Sequence, residues 1–190
     1  MTNAEDAQAV IRPLGRAGDL GWVVMAHGEV YATEFGWDTT FESLVAQIVA
    51  DYAANRDPRR EAAWIAELDG RRVGCIFCVA AERAHATAGA GASGSSAETT
   101  AKLRILLVHP DGRGHKLGRR LLDTSLDFAR AAGYTKARLW TNDPLVAARR
   151  IYLERGFRLT HEEPHQSFGV DLLGQTYELD LHATVDIVRG

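Results

Sequence analysis

Leu103–Arg104–Ile105–Leu106–Leu107–Val108–His109–Pro110–Asp111–Gly112–Arg113–Gly114–His115–Lys116–Leu117–Gly118–Arg119–Arg120 passes from an apolar run through a glycine-rich turn into a helical pattern. The first six residues read as a strand, and Pro110 with Asp111–Gly112 ends it. Gly112, Gly114 and Gly118 let the backbone bend tightly at a helix start, where unpaired N–H groups and the positive end of the helix dipole face whatever sits there. Such a turn is a cradle for a pyrophosphate. Arg113, Lys116, Arg119 and Arg120 add positive charge, each contact contributing about 0.3–1 kcal/mol toward an exposed anion.

Several ligands compete for this cradle. A dinucleotide site wants G-x-G-x-x-G and an acidic residue roughly 20 positions on. Here the glycines run G-x-G-x-x-x-G and the next strand ends Leu139–Trp140–Thr141–Asn142, so NAD fits poorly. A nucleotide triphosphate loop needs G-K-[ST], whereas Gly118 is followed by Arg119–Arg120. A glycine-rich turn without any ligand stays open on this segment alone.

Working downstream, Leu117, Leu121, Leu122, Phe128, Ala129 and Ala132 mark the buried face of a helix that Gly133 stops. A strand over 136–141 completes a β-α-β unit. Asp143 is expected to cap, and Pro144 to open, a further helix ended by Gly156. Apolar stretches at 157–163 and 172–181 finish the sheet.

Upstream, Ala9–Val10–Ile11–Arg12–Pro13 reads as a first strand, followed by a helical stripe of Leu20, Val23, Val24, His27, Val30, Tyr31 and Glu34. The pattern Thr39-x-x-Glu42 predicts a capping box for a second helix with Phe41, Leu44, Val45, Ile48 and Tyr52 inside. Segments 62–68 and 72–81 are joined by Asp69–Gly70, a hairpin signal. Residues 85–100, rich in Ala, Gly, Ser and Thr, predict a flexible loop; a domain boundary there is disfavoured because neither flank is complete alone. The expectation is one α/β domain over 1–190, a mixed sheet with helices on its faces.

With 190 residues, 46% of them hydrophobic, the chain can close one substantial core. A formal charge of −3 gives a nucleic-acid backbone no general attraction, and no apolar run nears the roughly 20 residues that span a bilayer. A polar, acidic start argues for the cytoplasm. Cys75 and Cys78 are spaced C-x-x-C, yet within a strand they point to opposite faces and read as structural thiols.

Taken with Leu106–Leu107–Val108–His109–Pro110 and Arg113–Gly114–His115–Lys116–Leu117–Gly118, the pattern Ala148-x-x-x-Tyr152-x-x-x-Gly156–Phe157 resembles the GNAT N-acetyltransferases over about residues 62–181. His27–Gly28–Glu29-x-Tyr31-x-x-Glu34–Phe35–Gly36–Trp37 and Ser167–Phe168–Gly169 are similar to GNAT domains fused to MarR-type regulators, although no winged helix is expected from these 190 residues. The resemblance implies the GNAT acyl-CoA N-acyltransferase fold, with a mixed, mostly antiparallel sheet and helices on both faces. It implies acetyl-CoA as cosubstrate, an amine as acceptor and no metal. The amides of Arg113, Gly114, His115, Lys116, Leu117, Gly118 and Arg119 would hold the pyrophosphate, and backbone groups along Leu106, Leu107 and Val108 the pantetheine arm. Three departures stand out. Lys116 replaces the middle glycine of the motif, Leu145 replaces an asparagine for which Asn142 is the substitute, and the strand Lys102–Arg104 lacks a glutamate base.

Tyr152 is matched to the family's proton donor to the departing thiolate, its alternative being a core tyrosine. Glu34 and His27 are the substitutes for the base, the alternative for His27 being a buried histidine bonded to backbone. His161, Glu163 and His165 alternate like metal ligands, but Pro164 is expected to interrupt that strand. Trp22, Phe35, Trp37 and Phe168 read as core aromatics or an apolar wall. The rival function is an acyl-CoA-binding sensor whose chemistry has lapsed. The edge formed by the last strands offers a homodimer contact that the edge alone does not decide.

Overall fold

The computed structural model describes residues 8–81 and 99–182. Residues 85–98 of the predicted loop lie outside them, whereas Thr100 already belongs to a strand. Among the described residues, β1 (Ala9–Pro13), β2 (Ala62–Leu68), β3 (Arg71–Ala80), β4 (Thr100–Val108), β5 (Lys136–Asn142), β6 (Arg158–Ser167) and β7 (Val170–Asp180) form one sheet. Its order is β1-β2-β3-β4-β5-β7-β6, antiparallel throughout except between β4 and β5. Helices α1 (Asp19–Phe35) and α2 (Thr39–Asn55) cover one face; α3 (Leu117–Ala131) and α4 (Val146–Glu154) belong to the other.

Strand alternation splits the core accordingly. Cys75, Phe77 and Val79 of β3 pack with Val23, Val45 and Tyr52 of α1 and α2, while Ile76 and Cys78 pack with Leu121, Leu122 and Leu126 of α3. The two cysteines are free and lie on opposite faces, and burial raises both thiols, Cys78 to about 12. Asp69 and Gly70 both take positive φ, 50° and 77°, in the tight turn joining β2 to β3.

One irregularity shapes the rest. The parallel ladder between β4 and β5 runs only from Thr100↔Lys136 to Leu103↔Leu139. Beyond it β4 carries an extra residue: Phe77 pairs with Arg104 and Cys75 with Leu107, so Ile105 and Leu106 together face Ile76. Ile105 adopts φ 46°, unusual for a β-branched residue, and the bulge separates β4 from β5. β5 itself continues to Asn142 along β7, leaving a gap between the two parallel strands.

Local chemistry differs from the sequence reading at several points. Asp38, not Thr39, caps α2 by accepting from the Thr40 amide at 2.9 Å. Asp143 accepts from Leu173 N instead of capping a helix, and α4 begins at Val146 after Leu145. β6 runs through Pro164, tolerated because β6 is the sheet edge and needs no donor on its open side. Leu20 lies at the solvent side of α1, which buries Val23, Ala26, His27, Val30 and Tyr31.

Candidate active site at the strand split

The turn after β4 is built by close approach as much as by backbone freedom. A Cβ on Gly112 would stand 2.9 Å from Val73 Cβ and 3.1 Å from its carbonyl oxygen, so only glycine lets the 3-10 turn Pro110–Gly112 lie on β3. Gly114 has φ 85°. Gly118 is helical, and a side chain there would meet Ile151 of α4 and Val108 of β4. Lys116, directly before α3, adopts φ 55°, so the position does require the left-handed conformation that the family's glycine supplies. Replacing Lys116 by glycine is expected to raise stability by about 1 kcal/mol at most, since the added chain entropy of glycine offsets part of the relieved strain. Thermal unfolding measures it, and a lower Tm would mean that the lysine side chain contributes a compensating contact.

From this loop a cleft of about 900 Å³ runs between the free edge of β4, at Leu106, Leu107 and Val108, and the start of α4. Arg113, Gly114, Lys116, Leu117, Gly118 and Arg119 line its loop end. Arg150 of α4 joins them, a cation that sequence reasoning missed because only the packing of α4 against α3 brings it there. Arg120 does not take part: its guanidinium donates to the Ala9 carbonyl of β1. His115 is exposed and lies outside the cleft lining. The cations are partly neutralised, Arg113 by Glu34 at 2.5 Å and Arg119 by Glu154 at 2.6 Å.

The cleft adjoins a smaller cavity of about 180 Å³ within the split, with Tyr31, Leu106, Leu145 and Ala148 shared by both. Tyr152 of α4 and His27 of α1 line this inner cavity. Burial holds the Tyr152 hydroxyl well above the usual phenol range, so it keeps its proton, and it makes no hydrogen bond among the described residues. His27 donates from Nδ1 to the Val23 carbonyl at 2.7 Å, the bland arrangement expected of a buried histidine. Burial lowers its pKa to about 4, leaving a neutral ring whose Nε2 has no partner. The Ile105 carbonyl at the bulge lies near that ring without hydrogen-bond geometry.

Glu34 and His27 share one face of α1 but open on different spaces. Glu34 is at the loop end, held by Arg113, and does not line the inner cavity. Asn142 does line it, rather than the phosphate end, and accepts through Oδ1 from His165 Nε2 at 2.8 Å. His161 approaches Glu163 at 3.8 Å, and no group of three ligand-type residues is gathered for a metal among the described residues. Trp37 and Phe168 are core aromatics with ring centroids 4.8 Å apart, and Trp37 also reaches the cavity wall. No helix among the described residues is long and apolar enough to cross a membrane.

Residues 25–157 match the model of the acetyltransferase (GNAT) family. An uncharacterized N-acetyltransferase of Schizosaccharomyces pombe is 27% identical over 135 residues, 71% of this chain and 74% of that protein. Among solved structures, yncA of Salmonella typhimurium, determined with its cofactor acetyl-CoA, superposes with TM-score 0.68 at 21% identity, covering 93% of this chain and 96% of the other. The ribosomal-protein-alanine N-acetyltransferase of Brucella melitensis gives TM-score 0.66 at 16% identity, over 90% and 99% of the two chains. At these identities the structural likenesses speak for the fold.

Proposed function

We propose, from the premise that the chain belongs to the GNAT acetyltransferase family, that it moves the acetyl group of acetyl-CoA onto an amine by direct attack of the amine on the thioester. The observation that carries this reading is the split between β4 and β5, which joins an anion-binding loop at one end to the Tyr152 hydroxyl at the other. The residues present suit acetyl-CoA. The loop amides and Arg113, Lys116, Arg119 and Arg150 would take the pyrophosphate, and the β4 edge beyond Leu103, unpaired on the β5 side, would take the amide-bearing arm as an added strand. When bound, acetyl-CoA supplies an activated acyl thioester.

The protein's own work is then binding, orientation and proton handling. Tyr152 Oη, protonated and desolvated, gives its proton to the departing sulfur, and the proton that the attacking amine sheds on forming the amide restores the phenol. His27 lines the inner cavity as a neutral ring near pH 7, but its unpaired Nε2 is sealed from solvent beside the Ile105 carbonyl, so it shapes the wall rather than removing the amine's proton. A ring with a pKa of about 4 is a weak base, so the amine has to arrive largely neutral and turnover should rise with pH until it does. Glu34 acts at a distance from the transfer, by holding Arg113 at the cleft wall.

Calorimetric titration with acetyl-CoA, with NAD as control, tests the donor site. Acetyl-CoA is expected to bind and NAD not to, and Arg113→Ala to weaken acetyl-CoA about three- to tenfold, as suits a half-exposed cation on an anion. Absence of acetyl-CoA binding overturns the reading.

A further inference from the structure

We propose that the acceptor is a small amine that also carries a carboxylate, and that Lys102, with Arg104 beside it, recognises that carboxylate; this rests on the transferase reading of the same cleft. Lys102 and Arg104 are two apart on β4 and leave the sheet on the face toward α1 and α2, where both line the inner cavity. No aspartate or glutamate lines that cavity among the described residues. Arg138, paired across the sheet with Lys102, has its own counter-ion in Glu178 at 2.6 Å. Lys102 is half-buried and has no carboxylate at ion-pair distance among the described residues.

An uncompensated cation in a wall of low polarity is costly, and the cost shows in its own chemistry. Burial first, then Arg104 and Arg138, weaken the hold of Lys102 on its proton. A carboxylate placed there reverses that balance, because an opposite charge favours the charged form. A diamine or polyamine, by contrast, brings more positive charge to a cavity that, among the described residues, is lined by Lys102 and Arg104 and by no carboxylate, and like-charge juxtaposition rejects it. For an amine tethered to a carboxylate, the same positive field favours the neutral amine that attack requires.

Size and the opposite wall agree. A cavity of about 180 Å³ is below the ~300–1,000 Å³ that drug-sized ligands occupy. Trp140 of β5 lines it while 40% exposed, and its indole is pinned: a Cβ on Gly174 would stand 2.9 Å from the ring, and His165 lies 5.4 Å away between ring centroids. His165 is itself held by Asn142 and Ser167. A short carbon skeleton therefore finds a fixed aromatic surface between the cations of β4 and the Tyr152 end.

The experiment offers the protein matched pairs, α-, β- and γ-amino acids and their primary carboxamides, together with simple diamines, and follows free CoA release. In parallel, calorimetry of the CoA-loaded protein measures binding of each acid and its amide without any transfer. Acids are expected to be preferred, and Lys102→Met to raise KM and Kd for acids about tenfold while leaving amides within about twofold. Lys102→Glu should shift preference toward diamines. Transfer to amides or diamines as good as to acids overturns this proposal and leaves the transferase intact. Acid binding that Lys102→Met weakens, without acetyl transfer to any amine, upholds the anion site and overturns the transferase reading instead.

Discussion

Replacing Tyr152 by phenylalanine is expected to lower kcat about 10²–10³-fold while changing acetyl-CoA affinity by no more than about twofold. The separation follows from where the hydroxyl sits. The ring is 7% exposed and packs with Phe157 and Tyr177, contacts that phenylalanine keeps. Its hydroxyl bonds to no described residue, so its loss leaves no partner unpaired and should shift Tm little. A phenol whose pKa is raised is, taken alone, a poor acid for a thiolate. The desolvation that raises Tyr152, however, raises a thiol in the same surroundings, as it does Cys75 and Cys78, so acid and leaving group stay matched. Steady-state kinetics beside calorimetry provide the check. Unchanged kcat would remove Tyr152 from the mechanism and return it to the core.

The parts of this site that are legible in the sequence are those fixed by local rules. Apolar runs of period two, the helical stripes and the Asp69–Gly70 turn place the strands in order, and the glycines at 112, 114 and 118 mark the anion loop before any tertiary contact is known. The split itself is not legible. It depends on Ile105 holding a positive φ, which residue preference argues against and only the packing of β4 between its neighbours imposes. Residue pairs across the fold are hidden for the same reason. Glu34 has the right face to be a base, but Arg113 lies 79 residues away in sequence and claims it. Pro164 looks like a strand breaker until β6 is seen to be an edge. Lys102 and Arg104 register in the sequence as a missing glutamate, and become informative only when the cavity around them proves to hold no acid among the described residues.

Asp19→Asn is expected to destabilise the fold by about 3–5 kcal/mol, lowering Tm by roughly 10 °C, because it breaks a buried charge cluster rather than a surface pair. Asp19 is fully buried at the start of α1. Its two oxygens accept from Arg12 Nη1 and Nη2 at 2.8 and 2.9 Å, from Arg72 Nε at 2.8 Å, and from the amides of Gly15 and Arg16 at 3.0 and 2.8 Å. One carboxylate thus ties α1 to β1 and β3, and Glu67 completes the charge balance by taking Arg12 Nε at 2.8 Å. Asparagine preserves the shape but removes the charge and one acceptor, leaving two guanidinium groups underpaired. The same donors hold the Asp19 carboxyl well below the ordinary carboxylate range, Arg12 foremost. A depressed folded pKa means that this stabilisation is complete above the unfolded value near 3.8 and is lost as pH falls toward the folded one. Denaturant melts between pH 6 and pH 3 should therefore show the wild-type advantage over Asp19→Asn shrinking at the acid end; an equal gap at both pH values would mean that the cluster stabilises by shape alone. Because α1 also carries Tyr31 and Glu34 to the cleft and His27 to the inner cavity, the variant should lose acetyl-CoA affinity together with stability. Lost stability with binding intact would show that the cleft wall keeps its place without this anchor.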